Sequence, residues 1–312
     1  MEDPTLLGTV STNNNSTASI TLLSSLSIYY QNARGINSKL VELFNSLLTC
    51  NFELIILTET WLTDSVANSE FCPDNFEIYR SDRKFNKTTL TRGGGVLIAM
   101  RKYFSVLQID LSPHGFDELH LIDIVGVKLT YRYVSFYILV IYVPPKSSVD
   151  DYISLFNLLG NLADLWNDRV VIIGDFNIAE YHIGLENNIV GNNKLSALST
   201  FLNLNNYCQF NTIMNTNGRL LDLILSNYEC SVNGCHDYLL PEDSHHPSLV
   251  ITIDTHQGKS KILGNSEILV KRWNFRKADY PNLYHHLGQI NWSFLNGVND
   301  PNTACTLFYN KL

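Results

Sequence analysis

Two short apolar runs, each followed closely by an acidic residue, constrain the fold more than any other feature of this chain. Residues 170–173 (VVII) lead through a glycine to Asp175, and residues 54–57 (LIIL) lead through a threonine to Glu59. An apolar run of this length, bounded by turn-forming residues, fits a strand buried on both faces. The sequence therefore predicts a sheet-based fold in which carboxylates stand where buried strands end.

The first run continues with Asp175 and Asn177, two positions apart. On a chain that is still extended, such side chains face the same way, so a carboxylate and a carboxamide would serve one cleft. Asp and Asn also favour Asx turns, which leaves a purely structural turn open. The second strand, ending at Glu59, makes the functional interpretation the better one.

Strands outnumber helices along the rest of the chain, and several follow one another without a helix between them. Further strands are predicted at 27–32, 106–110, 119–129, 133–143, 220–225 and 249–253. Helices are predicted at 36–48, 153–162 and 195–204 from the spacing of their apolar residues. Asn37 or Ser38 is expected to cap the first helix, and Asp150 the second. This pattern disfavours a purely parallel doubly wound sheet and predicts two packed, mainly antiparallel sheets with helices outside.

Three more polar residues stand at strand ends or inside apolar runs. Tyr142 precedes two prolines that stop ladder pairing, a place where a packed ring is commoner than a catalyst. Asp222 lies within the apolar run 220–225, where a carboxylate is costly unless it is paired. The loop DSHHP, which contains His246, follows downstream, and a carboxylate beside an imidazole fixes its tautomer and favours its charged form. We therefore expect Asp222 and His246 to pair.

The run RGGG at 92–95 precedes the apolar residues VLIAM. Glycine-rich loops can hold a phosphate, but this one lacks the Lys-Ser/Thr of a Walker motif and enters a strand instead of a helix. A backbone bend into a strand is the favoured interpretation, and a phosphate loop is the alternative.

Composition narrows the class of protein. Of the 312 residues, 45% are hydrophobic and 17% charged, which is typical of a globular protein, and the formal net charge is −8. This charge argues against a nonspecific nucleic-acid-coating protein but is compatible with a nuclease, because metal-binding carboxylates add negative charge. No CxxC pair is present, so neither a zinc ribbon nor a disulfide framework is predicted. The longest apolar stretch, 134–143, is too short for a bilayer and the N-terminus lacks a basic targeting region, so we expect neither a membrane nor a secreted protein.

Composition also divides the chain into three parts. Residues 1–25 are rich in Ser, Thr and Asn and are expected to form a disordered tail. Residues 26–255 contain the predicted strands and form the expected domain. Residues 256–312 begin with a polar stretch and carry scattered aromatic residues, so they are expected to be a linker segment.

Seven short segments resemble motifs of the endonuclease/exonuclease/phosphatase superfamily, and they follow the family order over residues 28–253. They are QNARG, LTETWL, RGGGV, YVPP, GDFN, LLDLILS and SHHPSL. The chain looks most like the apurinic-like endonuclease domain of non-LTR (LINE-type) retrotransposons, and WNFRKADY resembles the linker that joins such domains to a reverse transcriptase. The resemblance implies a four-layer α-β-β-α sandwich with its active site at one end of the two sheets.

The resemblance also implies which residues handle the metal and the water. Glu59, with Asn32 beside it, would hold Mg²⁺ or Mn²⁺, ions that prefer oxygen ligands. Asp175 would orient and deprotonate the attacking water. Asn177 would position Asp175 and a phosphate oxygen.

The remaining implied roles concern the phosphate. His246 would donate to it as charge builds, Asp222 would hold His246, and Tyr142 would contact the phosphate or the leaving oxygen. The chain departs from the family at His245, where relatives often carry an Asp that helps at the metal. Asp243 lies two positions earlier.

The implied function is a metal-dependent endonuclease that hydrolyses DNA phosphodiester bonds and nicks target DNA for retrotransposition. It would act as a monomeric domain, linked to a reverse transcriptase in a full-length element. A DNA substrate indicates the nucleus, with the cytoplasm as the second compartment. Two alternatives stay open: a repair-type nuclease or phosphoesterase of the same fold, and a decayed copy that binds nucleic acid without cutting it.

Overall fold

The structure, a computed structural model, describes residues 25–84, 93–131, 134–165, 168–181, 193–255, 279–298 and 300–311. Within these residues the chain forms twelve strands and five α-helices. The strands are β1 Ser25–Asn32, β2 Leu54–Thr58, β3 Phe76–Ser81, β4 Val96–Arg101, β5 Ser105–Gln108, β6 Asp123–Tyr131, β7 Val134–Tyr142, β8 Arg169–Asp175, β9 Cys208–Gln209, β10 Asp222–Ser226, β11 Cys230–Gly234 and β12 Leu249–Asp254. The helices are α1 Leu40–Thr49, α2 Val149–Leu165, α3 Asn193–Asn205, α4 Tyr280–Gln289 and α5 Pro301–Tyr309.

The strands form two six-stranded sheets. The order in the first sheet is β11-β12-β1-β2-β4-β3, and the order in the second is β5-β6-β7-β8-β10-β9. β1 pairs with β2 in parallel, and so does β7 with β8, whereas the other neighbouring pairs in these sheets are antiparallel. The predicted pair of mainly antiparallel sheets is therefore confirmed.

Alternate side chains of each sheet supply two different cores. In β1, Ile28 and Tyr30 belong to the core between the sheets, whereas Tyr29 packs with the residues of α1. In β8, Ile173 faces the first sheet and Ile172 packs with α2 and α3. This follows from the twofold alternation of side chains along a strand. The layers therefore run α1, first sheet, second sheet, then α2 with α3, which is the expected four-layer sandwich.

The cap predicted for the first helix was wrong. α1 begins at Leu40, and Lys39 occupies the cap position without a side-chain cap. Asn37 instead donates from Nδ2 to the carbonyl oxygen of Trp61 at 3.0 Å. Its amide therefore ties the loop before α1 to the loop after β2.

The cap predicted for the second helix was wrong by two residues. Ser148, not Asp150, precedes α2 and accepts the N–H of Asp151 at its Oγ. The Asp151 carboxylate in turn accepts the N–H of Ser148 at 2.7 Å. This reciprocal pair is a capping box, in which the acid three residues into the helix serves the cap residue.

The strand predicted at 119–129 begins later than expected, at Asp123. Phe116–Glu118 form a short 3-10 helix, and the Ile122 N–H then donates to Leu119 in a turn. Three strands, β3, β9 and β11, have no counterpart among the predicted strands. All three lie at sheet edges, where one side of the strand has no neighbour and a continuous apolar run is not needed.

The glycine run bends the backbone into β4, as favoured. Gly93, Gly94 and Gly95 have φ of 96°, 81° and 86°, values that residues with a Cβ rarely adopt. A Cβ on Gly94 would also lie 2.4 Å from Cζ of Arg83. The run therefore gives the guanidinium of Arg83 the room to pack beneath it. Arg92 lies outside the described residues.

The predicted tail lies almost entirely outside the described residues, and the predicted linker lies partly outside them. Of the predicted tail 1–25 only Ser25 is described, as the start of β1, and 256–278 are not described. Within the predicted linker, the structure describes the helices α4 and α5. No described side chain between 279 and 311 is buried. None of the helices in the described part of the chain has the length and apolar character needed to cross a membrane.

Candidate active site

Strand ends from both sheets meet at one edge of the sandwich. In the first sheet, Asn32 ends β1, and Glu59 directly follows β2, the parallel neighbour of β1. In the second sheet, Tyr142 of β7 and Asp222 of β10 both stand opposite Asp175, the last residue of β8. Because parallel strands end at the same edge of a sheet, each parallel pair delivers its polar residues to a common place.

Glu59, Asp175 and His246 form a compact ligand cluster. One ligand atom from each residue lies within 4.8 Å of the others. Nε2 of His246 is 3.8 Å from Oδ2 of Asp175. Carboxylates at this spacing could hold a divalent cation, and the imidazole lies beside them.

Asn32 connects the acids of the two sheets. Its Nδ2 donates to Oε1 of Glu59 at 3.2 Å and to Oδ2 of Asp175 at 3.0 Å. Its Oδ1 accepts the backbone N–H of Arg34 at 3.1 Å. Asn32 therefore lies beside Glu59 as a donor that orients both carboxylates, and its own oxygen is engaged by the backbone.

A buried hydrogen-bond chain runs from the first sheet to the imidazole. The hydroxyl of Tyr30 donates to Oδ1 of Asp222 at 2.5 Å, and Nδ1 of His246 lies 2.9 Å from Oδ2 of the same carboxylate. All three side chains are buried. A carboxylate at Nδ1 keeps a proton on that nitrogen and leaves Nε2 directed at Asp175. The expected pairing of Asp222 with His246 is present.

Burial and charge shift the pKa values of the central pair. Burial raises the pKa of the Asp175 carboxyl well above its usual value, and the negative charge of Asp222 adds to this. Burial works against the charged form of His246, but the carboxylates of Asp222 and Asp175 outweigh it and raise the pKa of His246 to about 9. His246 is therefore charged at neutral pH, and Asp175 binds a proton more readily than an ordinary carboxylate.

Glu59 is held by a tryptophan two residues away. Glu59 and Trp61 both adopt left-handed backbone conformations, with φ of 50° and 55°. Nε1 of Trp61 donates to Oε2 of Glu59 at 3.2 Å. A Cβ on Gly35 would lie 2.4 Å from the indole ring, and the Gly35 N–H donates to the Glu59 carbonyl oxygen at 2.7 Å. The QNARG and LTETWL segments therefore build one unit around Glu59.

Asn177 forms the Asx turn, one of the two arrangements that its sequence left open. It has φ of 50°, and its backbone N–H donates to Oδ1 of Asp175 at 3.1 Å, which is an Asx turn. Its Nδ2 donates to the carbonyl oxygen of Val143 at 2.9 Å. The turn itself thus fixes one oxygen of Asp175 and leaves Oδ2 facing the ligand cluster.

Tyr142 lies at the same edge with its hydroxyl protonated. Burial raises the pKa of Tyr142 above its ordinary value, and the charges of Glu59 and Asp175 add to the effect. Cζ of Arg83 lies 5.3 Å from the centre of its ring, and Arg83 pairs with Asp123 at 2.6 Å. The tyrosine is therefore a packed ring with a protonated hydroxyl that hydrogen-bonds Glu59.

His245 and Asp243 occupy the place where the chain departs from the family. Nδ1 of His245 lies 3.2 Å from Nδ2 of Asn217, and His245 is not part of the ligand cluster found within the described residues. Asp243 instead pairs with Arg34 at 2.6 Å. Neither residue adds an oxygen ligand to the three-residue cluster.

Sequence reasoning missed four residues that support the site: Tyr30, Trp61, Arg83 and Asp243 as the partner of Arg34. Tyr30 lies two positions before Asn32 on the same strand, a spacing that places both on one face. Trp61 is likewise two positions from Glu59. For Arg83 the sequence offers only the glycine run in the same β3–β4 connection, because its partners Asp123 and Tyr142 lie on strands of the second sheet.

The residues present fit a hard divalent cation. Carboxylate oxygens of Glu59 and Asp175 come from opposite sheets and face the same space as the imidazole. The negative charges of Asp222 and Glu59 both act on Asp175 and raise its pKa, a like-charge repulsion that a bound cation would relieve. Glu59 and Asp175 are therefore the residues that could hold a metal ion.

Comparisons with known proteins bear on the fold. No family model and no curated protein sequence matches the chain. Among solved structures, the endonuclease domain of TRAS1, a telomere-specific non-LTR retrotransposon, is similar, with a TM-score of 0.52 and 14% identity over 74% of this chain and 98% of that one. The AP endonuclease LMAP from Leishmania major has a TM-score of 0.53 and 11% identity over 74% of this chain and 88% of its own. An endonuclease/exonuclease/phosphatase family protein from Leptotrichia buccalis C-1013-b has a TM-score of 0.48 and 12% identity over 73% of this chain and 99% of its own. The chain therefore shares the fold of the TRAS1 endonuclease domain and of LMAP, a four-layer sandwich of two sheets between helices.

Proposed function

We propose that this protein is an endonuclease that hydrolyses phosphodiester bonds of DNA with the help of a divalent metal ion, Mg²⁺ or Mn²⁺. The observation that carries the proposal is the cluster of Glu59, Asp175 and His246, whose ligand atoms lie within 4.8 Å of one another. A phosphodiester is anionic, so its hydrolysis needs a cation, a base and donors around the phosphorus. The three residues supply a metal ligand, a base and a donor.

Glu59 is the proposed metal ligand, with Asn32 beside it. When bound, Mg²⁺ or Mn²⁺ would polarise a phosphate oxygen and offset the charge that builds there. Asn32 and Trp61 each donate to one oxygen of Glu59 and so hold the carboxylate in place. Because both donors belong to neighbouring loops of one sheet, this orientation exists before substrate binds.

Asp175 is the proposed base for the attacking water. Its raised pKa suits it to accept a proton, and the N–H of Asn177 holds its Oδ1 so that Oδ2 faces the cluster. Asn177 would thus position Asp175 through its backbone. The role proposed for its side chain is to fix the loop to Val143.

His246 is the proposed donor to the phosphate. Its pKa of about 9 keeps Nε2 protonated at neutral pH, and Asp222 fixes the ring through Nδ1. A charged donor stabilises the negative charge of the transition state more than a neutral one. Tyr142, whose hydroxyl stays protonated, would donate to the phosphate or to the leaving oxygen.

A nicking assay on supercoiled plasmid tests the proposal. We expect nicking with Mg²⁺ and none with a chelator. Asp175→Asn and His246→Gln should each lower the rate by about 10²–10⁴, the range for a positioned acid or base. His245→Gln is the matched control, because it removes the neighbouring imidazole, whose ring is bound to Asn217. Nicking that survives the chelator, or equal losses in the His245 and His246 variants, would contradict the mechanism.

The second candidate function is DNA binding without cleavage, as in a decayed copy. The observation that favours it is His245, an imidazole turned to Asn217 where relatives often carry an acid at the metal. Retained binding of a DNA duplex without nicking, in either Mg²⁺ or Mn²⁺, would establish this function. A repair-type nuclease would instead cut a duplex that carries an abasic site in preference to an intact one.

The biological setting proposed for the nuclease is target-DNA nicking by a non-LTR retrotransposon, in the nucleus. Support comes from the motif resemblance and from the similar fold of the TRAS1 endonuclease domain. Residues 26–255 would be the nuclease domain, acting as a monomer. Residues 256–312 would lead toward a reverse transcriptase in a longer protein.

A further inference from the structure

An ion pair joins two loops at the mouth of the candidate site. Nη1 of Arg34, in the loop between β1 and α1, lies 2.6 Å from Oδ2 of Asp243, in the loop between β11 and β12. The Arg34 side chain is 51% exposed and that of Asp243 is 24% exposed. An exposed pair of this kind adds little to stability, because solvent screens it. Its effect therefore lies in the active-site residues that the two loops position.

Asp243 organises the loop that carries His246. Its Oδ1 accepts the backbone N–H of His245 at 2.7 Å, and its carbonyl oxygen accepts the backbone N–H of His246 at 3.0 Å. Its second carboxylate oxygen is the one bound by Arg34. All three acceptor oxygens of Asp243 are thus used, and the conformation of the segment 243–246 depends on it.

Arg34 belongs to the segment that orients the carboxylates of Glu59 and Asp175. Its backbone N–H donates to Oδ1 of Asn32 at 3.1 Å, and its φ of 44° turns the chain sharply at that point. The next residue, Gly35, donates to the carbonyl oxygen of Glu59 at 2.7 Å. The guanidinium therefore extends from the backbone that fixes Asn32 and Glu59.

The far side of the His246 loop has its own anchor. Nδ2 of Asn215 donates to the carbonyl oxygen of His245 at 3.0 Å, and Thr216 donates through its hydroxyl to the carbonyl oxygen of Ser244 at 3.0 Å. The loop is thus held from the second-sheet side by the turn 215–217 and from the first-sheet side by Arg34. His246 directly follows these anchored residues.

We propose that Arg34 and Asp243 are positioning residues of the active site, which hold the His246 loop against the loop of Asn32 and Glu59. The pair keeps Nδ1 of His246 on Asp222 and Nε2 directed at Asp175. Asp243 thereby acts on the imidazole of His246 through the backbone of the loop. His245 takes the position next to His246. The effect on rate rests on the proposed nuclease function, but the effect on the imidazole does not.

The test uses Arg34→Gln, Asp243→Asn and the double variant, all in the full chain. Each single variant removes the ion pair, and Asn at 243 keeps an oxygen for the N–H of His245. We expect kcat for plasmid nicking to fall about tenfold to a hundredfold, the cost of a small misplacement of a catalytic group, with KM unchanged. The double variant should be no slower than the slower single variant, because both remove the same contact. Arg34→Lys should recover part of the loss.

The second readout is the Nδ1 proton resonance of His246 in the metal-free protein without DNA. We expect a sharp resonance in the wild type and a broadened or fast-exchanging one in both single variants, at an unchanged melting temperature. Arg219→Gln is the matched control, since it removes the same charge from the exposed residue at the end of the neighbouring turn. It should leave the resonance and kcat as in the wild type.

Three outcomes would overturn the inference. An unchanged His246 resonance in both single variants would show that the pair does not position the imidazole. A rise in KM alone would assign Arg34 to DNA binding. Additive losses in the double variant would show that Arg34 and Asp243 act independently of each other. If the wild type does not nick DNA but the resonance responds as expected, the nuclease function fails and the positioning role stands.

Discussion

Two opposing effects act on the charge of His246, and their balance can be measured through the pH dependence of the free energy of unfolding. Burial disfavours the imidazolium, whereas Asp222 and Asp175 favour it strongly enough to raise the pKa to about 9. A group whose pKa is higher in the folded than in the unfolded chain stabilises the fold fully below its unfolded pKa. That contribution is lost as the pH rises through the folded pKa.

The metal-free protein should therefore lose His246-dependent stability between about pH 6.5, the ordinary pKa of histidine, and the folded value of about 9. The measurement is the free energy of unfolding in urea at pH 6, 7.5 and 9.5, for wild type and His246→Gln. The difference between the two proteins should shrink as the pH rises, because the variant has no imidazole to lose its proton. Parallel curves would show that the charged form of His246 is not favoured by folding.

Tyr30 offers a second test at the scale of single residues. Tyr30→Phe keeps the ring but removes the O–H that donates to Asp222. We expect a loss of about 1.5–3 kcal/mol in stability, the range for a hydrogen bond to a charged group, together with a lower nicking rate because Asp222 holds His246. Urea unfolding and plasmid nicking measure the two effects.

Tyr29→Phe is the matched control for that change. Tyr29 is the neighbouring buried tyrosine, and its hydroxyl donates to Gln31 on the opposite face of the sheet. Tyr29→Phe should reduce stability by about 0.5–1.5 kcal/mol, the range for a hydrogen bond between neutral groups, and leave the nicking rate unchanged. Equal effects of the two substitutions on nicking would argue against a specific link from Tyr30 to the site.

At the scale of elements, the glycine run before β4 serves the packing of Arg83. Gly94→Ala would place a Cβ 2.4 Å from Cζ of Arg83 and 2.5 Å from Oδ2 of Asp123, at a φ of 81°. We expect a loss of about 1–3 kcal/mol from overpacking, in addition to the backbone strain. The nicking rate should also fall, because Arg83 packs on the ring of Tyr142.

Gly218→Ala separates backbone strain from steric conflict. Gly218 has a φ of 68°, and a Cβ there would meet nothing within 4 Å. Thermal unfolding of both variants is the measurement, and Gly94→Ala should be the less stable of the two. Equal losses would mean that the space beneath Gly94 is not limiting.

The sequence allowed the buried elements of this fold to be predicted better than its edges. β2 and β8 are buried throughout and each contains four consecutive apolar residues, so their position and the acid at or just after their ends could be predicted from the runs alone. β3 and β11 carry mixed side chains at sheet edges, and their pattern has no clear period. The caps of α1 and α2 could not be assigned, because several adjacent polar residues compete and tertiary contacts decide between them.

The same distinction applies to the site. Asp222 and His246 could be paired from the sequence, because a carboxylate inside an apolar strand demands a partner. The contact of Arg34 with Asp243 joins residues distant in sequence and exposed to solvent, so no burial argument predicts it. The roles of the other residues around the cluster could be assigned only from the motif resemblance, not from spacing.

For the whole molecule, the ligand cluster links one sheet to the other. Glu59 follows a strand of the first sheet and Asp175 ends a strand of the second, so a metal ion held at this cluster would bind the folded chain and not the unfolded one. Mg²⁺ at about 100 times its Kd should then raise the free energy of unfolding by about 2.7 kcal/mol.

Thermal unfolding with and without Mg²⁺ measures this effect, and Glu59→Gln is the control. The variant keeps the size of the side chain but lacks the charge that attracts a cation. Its melting temperature should respond far less to the ion than that of the wild type. A wild-type melting temperature that is independent of Mg²⁺ and Mn²⁺ would exclude a tight metal site in the resting protein.

The pairing of β1 with β12, in which Ser25 stands opposite Asp254, also has a consequence for biosynthesis. The first sheet cannot be completed until almost the entire domain has left the ribosome. Until then, the edge of β1 that pairs with β12 is exposed to other nascent chains. The histidine-bearing loop emerges just before that closing strand. A gene copy interrupted by a stop codon anywhere upstream of β12 would therefore encode an aggregation-prone, inert product instead of a weakened enzyme.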